Sequence, residues 1–113
     1  MSRPSGDVIH HLVPSSDWPG EPSPTYEPPG FAAEGFIHFS TTEQVPATSL
    51  RHYAQVADLL LVTVAVEALD ADLRWEDLSG TGVFPHLYGA LNIDAVRSVV
   101  PYRAGEAVPI PTG

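Results

Sequence analysis

The chain has 113 residues and a mass of 12.1 kDa, enough for one hydrophobic core and too little for two independent ones. It contains no cysteine and no lysine, which excludes disulfides, cysteine-ligated zinc, iron–sulfur clusters, thiol catalysis and Schiff-base chemistry. Fourteen acidic residues against five basic ones, all arginine, give a net charge of −9; this argues against a general grip on nucleic acid or an anionic membrane, though not against one phosphate held by one arginine.

The first seven residues lack the apolar core of a signal peptide. No apolar run approaches the roughly 20 residues of a membrane-spanning helix. A cytoplasmic protein is the expectation. Val8 to Val13 is apolar and rich in β-branched residues, and Pro14 closes it; it reads as a first strand with Ile9, His11 and Val13 on one face. The prolines from Pro19 to Pro29 then impose a loop, with Tyr26 as its anchor. Phe36 to Thr41 alternates, placing Phe36, His38 and Ser40 on one face and Ile37, Phe39 and Thr41 on the other. A helix follows from Thr41 or Thr42 to about Gln55, with Leu50 and Tyr53 on its apolar stripe.

Ala57 to Val66 is the strongest strand, apolar on both faces through Leu59–Val66, and belongs at the centre of a sheet. Leu73–Glu76 and Val83–Tyr88 read as strands separated by the flexible run Ser79–Gly82. A tight turn over Asn92–Ala95 leads into a last strand, Val96 to Tyr102, and a loosely ordered tail from Ala104 to Gly113. Strands do not alternate regularly with helices. The expected fold is therefore one α+β or mostly-β domain, with α+β preferred, a small mixed or antiparallel β core and one main helix.

Three histidines fall in predicted strands: His11, His38 and His86. Period-two geometry flanks His38 with Phe36 and Ser40, and His86 with Phe84 and Tyr88, so each has an aromatic ring and a hydroxyl on its own face. An apolar wall bearing a few polar groups is the chemistry of a small-molecule site; the plainer alternative is a satisfied core or edge histidine. Arg74 and Glu76 share a face, where Arg74 can clamp a phosphate or carboxylate and Glu76 can orient a hydroxyl or act as a base. The plainer alternative is a surface ion pair beside a core Trp75. Ser40 and Thr41 lie at a strand-to-helix junction, which serves either an anion or an ordinary helix cap.

The motifs Ile9–Pro14 with Trp18, Glu34–Thr41 with Gln44–Val45, Arg74–Trp75–Glu76, Phe84–Gly89 and Asn92–Val96, taken together and in this order, resemble the DUF952 family of small bacterial and plant proteins. The resemblance spans Val8 to Pro101. It implies a fold similar to that of the ADP-ribosyltransferases and RNA 2′-phosphotransferases, a split β core that grips NAD in a cleft. It places His11 at the adenosine ribose and His38, Ser40 and Thr41 beside the nicotinamide. His86 and Tyr88 stand in the strand where the transferases carry a catalytic glutamate. A neutral imidazole cannot supply that charge, and Glu76 on the neighbouring strand is the available substitute. The chain departs from the family pattern at Phe39, where a small cysteine is usual, at His10, where tyrosine is usual, and at the broken helix after Trp18.

These readings assign His38, Glu76 and His86 to catalysis and Phe36, His11, Ser40, Thr41, Arg74 and Tyr88 to ligand binding, with NAD or a related nucleotide as ligand and no resident metal. Two alternatives remain. His11, His38 and His86 would form a three-imidazole metal site for hydrolytic or oxygenase-type chemistry. The same cleft without transition-state machinery would be a non-enzymatic small-ligand module.

Overall fold

The computed structural model describes residues 7–19, 23–78 and 80–109. In chain order the elements are β1 (Val8–Pro14), β2 (Thr25–Tyr26), α1 (Phe31–Glu34), β3 (Ile37–His38), α2 (Val45–Tyr53), β4 (Leu59–Ala65), β5 (Asp72–Glu76), β6 (Phe84–Tyr88), β7 (Leu91–Asn92) and β8 (Val96–Tyr102), with single 3-10 turns at Ser15–Asp17, Val66–Ala68 and Ile93–Ala95. The fold is α+β. Its strands form a sheet β1-β4-β8, a ribbon β2-β7 and a second sheet β3-β6-β5. Every strand pairing among the described residues is antiparallel, so the mixed sheet allowed by the sequence narrows to an antiparallel one.

β4 is central in the first sheet because both of its faces are apolar. Leu60, Val62 and Val64 join Ile9, Val13, Ile37, Phe39 and Leu87 in the core between the two sheets. Leu59 and Leu61 point the other way, into a second cluster with Leu12, Val45, Tyr102 and Val108. Burying each such side chain contributes about 1.5–3 kcal/mol before the entropy of ordering is charged. Among the described residues the one backbone bridge from β1 toward the second sheet pairs His10 with Ser40, just past β3, and their backbone groups exchange two hydrogen bonds of 2.8 Å.

Four local expectations change. The strand expected over Phe36–Thr41 shrinks to Ile37–His38. Phe39 N–H still reaches the Pro85 carbonyl at 3.0 Å, but proline has no N–H to return, and the ladder ends there. The main helix runs Val45–Tyr53, and Val45 and Ser49 form its buried stripe; Leu50 is 55% exposed. Trp75 is also exposed: its register partner Pro85 puts it on the core-facing side of the sheet, but it stands near the end of the edge strand β5, with no strand beyond it. The segment after Ala104 docks: Gly105 N–H donates to Ser49 Oγ at 2.8 Å, Tyr102 OH donates to the Glu106 carbonyl, and Val108 is buried. The remaining expectations for residues 1–6, 20–22, 79 and 110–113 lie outside the described residues. No helix among the described residues is long and apolar enough to cross a membrane.

Candidate functional site

Alternation in the second sheet sorts its side chains cleanly. Ile37, Leu87 and Pro85 face the core. The register pairs His38 with His86, Arg74 with His86, Glu76 with Phe84 and Asp72 with Tyr88. His38, His86 and Arg74 therefore form one row across all three strands, on the face opposite the core. The neighbouring Phe39–Pro85 rung carries the ladder hydrogen bond, so His38–His86 is an open rung, the kind in which side chains approach most closely. Their ring centroids are 5.3 Å apart and nearly perpendicular.

Glu76 is the hub of this face. Its Oε1 accepts the Tyr88 hydroxyl at 2.6 Å and His86 Nδ1–H at 3.0 Å, and neither bond uses Oε2. The Tyr88 and His86 hydrogen bonds hold the Glu76 carboxyl below the usual carboxylate range, so it is ionised at neutral pH. The same bond pushes the Tyr88 phenol up. Accepting at Oε1 fixes His86 as the Nδ1–H tautomer when neutral, with a lone pair left on Nε2. The Arg74 guanidinium lies 4.5 Å from the Tyr88 ring centroid, a cation–π contact, and its Nε donates to Asp72 at 2.8 Å. That bond raises the guanidinium pKa further, so the positive charge is permanent.

Phe36 covers the cluster. Its ring centroid is 4.4 Å from His86, 4.8 Å from His38 and 5.2 Å from Tyr88. It follows the single-turn helix α1, which is bounded by Gly30 and Gly35 in left-handed conformations. His38 Nε2 lies 3.2 Å from both oxygens of Glu34 at the end of that helix. The side chain of His86 is 5% exposed and that of Glu76 24%, whereas His38 stands 59% exposed at the rim.

The other candidates lie elsewhere. His11 is buried between the sheets, with Nδ1–H donating to the His38 carbonyl at 2.8 Å and Nε2 accepting the Tyr26 hydroxyl at 3.0 Å. Both nitrogens are engaged, so neither is offered to a ribose or a metal. Burial lowers its pKa to about 4 and keeps the ring neutral. Ser40 is buried, bridged to His10 by backbone bonds. Thr41 Oγ1 accepts Gln44 N–H at 3.2 Å, and Gln44 Oε1 accepts Thr41 N–H at 3.0 Å: a capping box. Among the described residues no set of three or more His, Asp or Glu side chains is placed to hold a metal ion. A separate open hollow is lined by Ser15, Asp58, Leu60, Tyr102, Arg103 and Glu106, and no candidate residue borders it.

Residues 12–99 match the family model described as "Protein of unknown function (DUF952)". The chain belongs to the DUF952 family. Its fold is similar to the crystal structure of protein CC0527 from Caulobacter crescentus, with 31% identity over 83% of this chain and 84% of that one and a TM-score of 0.73. The solution structure of CC0527 gives 31% identity, 83% coverage of each chain and a TM-score of 0.71. None of the curated proteins compared with the chain matches it.

The DUF952 match encloses His38, Arg74, Glu76, His86 and Tyr88, on one face of one sheet, and Phe36, whose ring lies over them. His11 falls just before its start. Sequence reasoning missed Glu34 and Asp72, the acidic partners of His38 and Arg74. The i, i+4 spacing of Glu34 and His38 was the available signal for the first, and the i, i+2 spacing on a strand for the second.

Proposed function

We propose that the Phe36–His38–Arg74–Glu76–His86–Tyr88 face binds a nucleotide-type ligand of the NAD class, and that Glu76 is its catalytic carboxylate in an ADP-ribosyl-transfer type of reaction. The observation that carries this reading is the contact of Glu76 with both His86 and Tyr88. It sets an ionised carboxylate from β5 against the β6 histidine, and an ADP-ribosyltransferase-like site would use a carboxylate there. The residue types suit such a ligand: a guanidinium for phosphate, aromatic rings for stacking on a base, and a carboxylate for a ribose hydroxyl.

NAD supplies a C1′–N bond to nicotinamide whose breaking leaves positive charge on the ribose, and transfer replaces it with a bond to an acceptor that gives up a proton. Glu76 orients the ribose through a hydroxyl and opposes the developing charge. Tyr88 and His86 hold the carboxylate in place. His86 Nε2 is available to accept the proton of the acceptor. Arg74 neutralises phosphate, and Phe36 excludes water.

A second reading, a binding module without turnover, is favoured by Phe36 lying directly on His86. Thermal unfolding with NAD, ADP-ribose and nucleotide phosphates, together with an assay for nicotinamide release, separates the two. At 100 times Kd, binding stabilises by about 2.7 kcal/mol. Stabilisation with release supports transfer, and stabilisation without release supports the module. An unchanged melting temperature at millimolar ligand overturns both.

A further inference from the structure

β1 meets the segment just after β3 at the His10–Ser40 bridge, and β1 and β3 themselves belong to different sheets. Because His38–His86 is an open rung, the backbone groups of His38 point away from β6 and toward β1. Among the described residues no backbone hydrogen bond joins β1 to the His38 carbonyl. The bond to the His38 carbonyl comes from the His11 side chain, at 2.8 Å. A carbonyl can only accept, so Nδ1 carries the proton, and Nε2 must be the acceptor of the Tyr26 hydroxyl. Tyr26, packed against Trp18 at 4.8 Å, thus selects the tautomer that lets His11 hold β3. Both groups are buried.

We infer that His11 is a positioning residue: its imidazole, set by Tyr26, fills the split between the sheets and fixes β3 so that His38 and Phe36 close over His86 and Glu76. His11 therefore acts through the His38 backbone and touches no ligand. The placement of the rings stands by itself; only the expected effect on binding rests on the nucleotide reading proposed above.

The test uses the full chain with His11→Leu, His11→Asn and Tyr26→Phe. An asparagine amide reaches about as far as Nδ1 and can donate to the same carbonyl, whereas leucine cannot. NMR reads the ring-to-ring contacts among Phe36, His38 and His86, and calorimetry with NAD reads affinity. The expected result is that His11→Leu loses those contacts and binds NAD about tenfold more weakly, the scale of one buried hydrogen bond. His11→Asn restores both, and Tyr26→Phe falls between. Retained contacts in a folded His11→Leu protein overturn the inference and leave His11 a packing residue. If His11→Leu does not fold, Tyr26→Phe decides: contacts equal to those of the unaltered protein overturn it. If NAD fails to bind the unaltered protein while the contacts shift as stated, the nucleotide reading fails and the positioning role stands.

Discussion

Glu76 and Tyr88 occupy opposite ends of the β5–β6 ladder, yet the Tyr88 hydroxyl donates to Glu76 Oε1 over 2.6 Å. His86, on the rung between them, donates to the same oxygen. Three side chains thus lie along the strands and share one carboxylate oxygen. Glu76→Gln replaces the anion with a neutral amide, and the Tyr88 phenol is then expected to titrate at lower pH, read as tyrosinate absorbance. Because the Glu76 pKa is depressed in the folded state, its stabilising share is present above the ordinary carboxylate range and is lost as pH falls through the lowered value. Glu76→Gln removes that acid-side loss. If nicotinamide release is the activity, it falls about 10²–10³-fold, the scale of removing a charge-stabilising group. Release at the original rate removes Glu76 from catalysis.

Much of this face was legible from alternation alone. Phe84, His86 and Tyr88 had to share a side, as did Arg74 and Glu76, and once β5 and β6 paired their faces merged. Alternation says nothing about which strands are neighbours. His11 obeyed the period, yet its side faces the core between two sheets while His38 faces away from it. The end of β3 was hidden for another reason: it depends on a proline in a partner strand, Pro85, nearly fifty positions further along the chain. Leu50 looked like core because helical spacing fits it, but the helix buries the adjacent stripe of Val45 and Ser49.

His11 makes a pH dependence of its own. Its pKa falls from 6.5 to about 4 on folding, chiefly through burial. The unfolded chain therefore binds more protons between those values, and stability is full above 6.5 and declines as pH falls toward 4. At about 1.4 kcal/mol per decade the decline amounts to about 3 kcal/mol. His10, also lowered by burial, adds in the same direction. Urea unfolding between about pH 7 and pH 4 should show a shallower decline for His11→Asn than for the unaltered protein. Parallel curves contradict the buried, neutral assignment.

Thr41 closes the turn over residues 41–44 that leads into α2, and its removal should behave as a cap deletion. Thr41→Ala is expected to cost about 1 kcal/mol in urea unfolding and to leave ligand affinity unchanged. Thr41→Ser keeps the hydroxyl and most of the stability. Gln44→Glu preserves the box acceptor but loses the amide that donates to the Val83 carbonyl at 2.7 Å, so it loosens the β5–β6 loop while sparing the helix start. Weaker nucleotide binding by Thr41→Ala at unchanged stability would return Thr41 to the ligand site.

Two glycines separate conformational strain from steric contact. Gly35 has φ +85°, and a Cβ there meets nothing within 4 Å. Gly35→Ala carries only the left-handed penalty, about 1 kcal/mol. Gly89 has φ +155°, and a Cβ there comes within 2.7 Å of Ala71 Cβ, closer than real Cβ atoms approach. Gly89→Ala therefore requires a backbone shift as well, at about 2–3 kcal/mol in total. The shift falls beside the Asp72–Tyr88 rung, so Gly89→Ala should also loosen the Tyr88–Glu76 bond and lower the Tyr88 titration, an effect Gly35→Ala lacks. Urea unfolding and tyrosinate absorbance of both variants check the ordering, and an equal cost at the two positions would mean that Ala71 yields freely and the close approach constrains nothing.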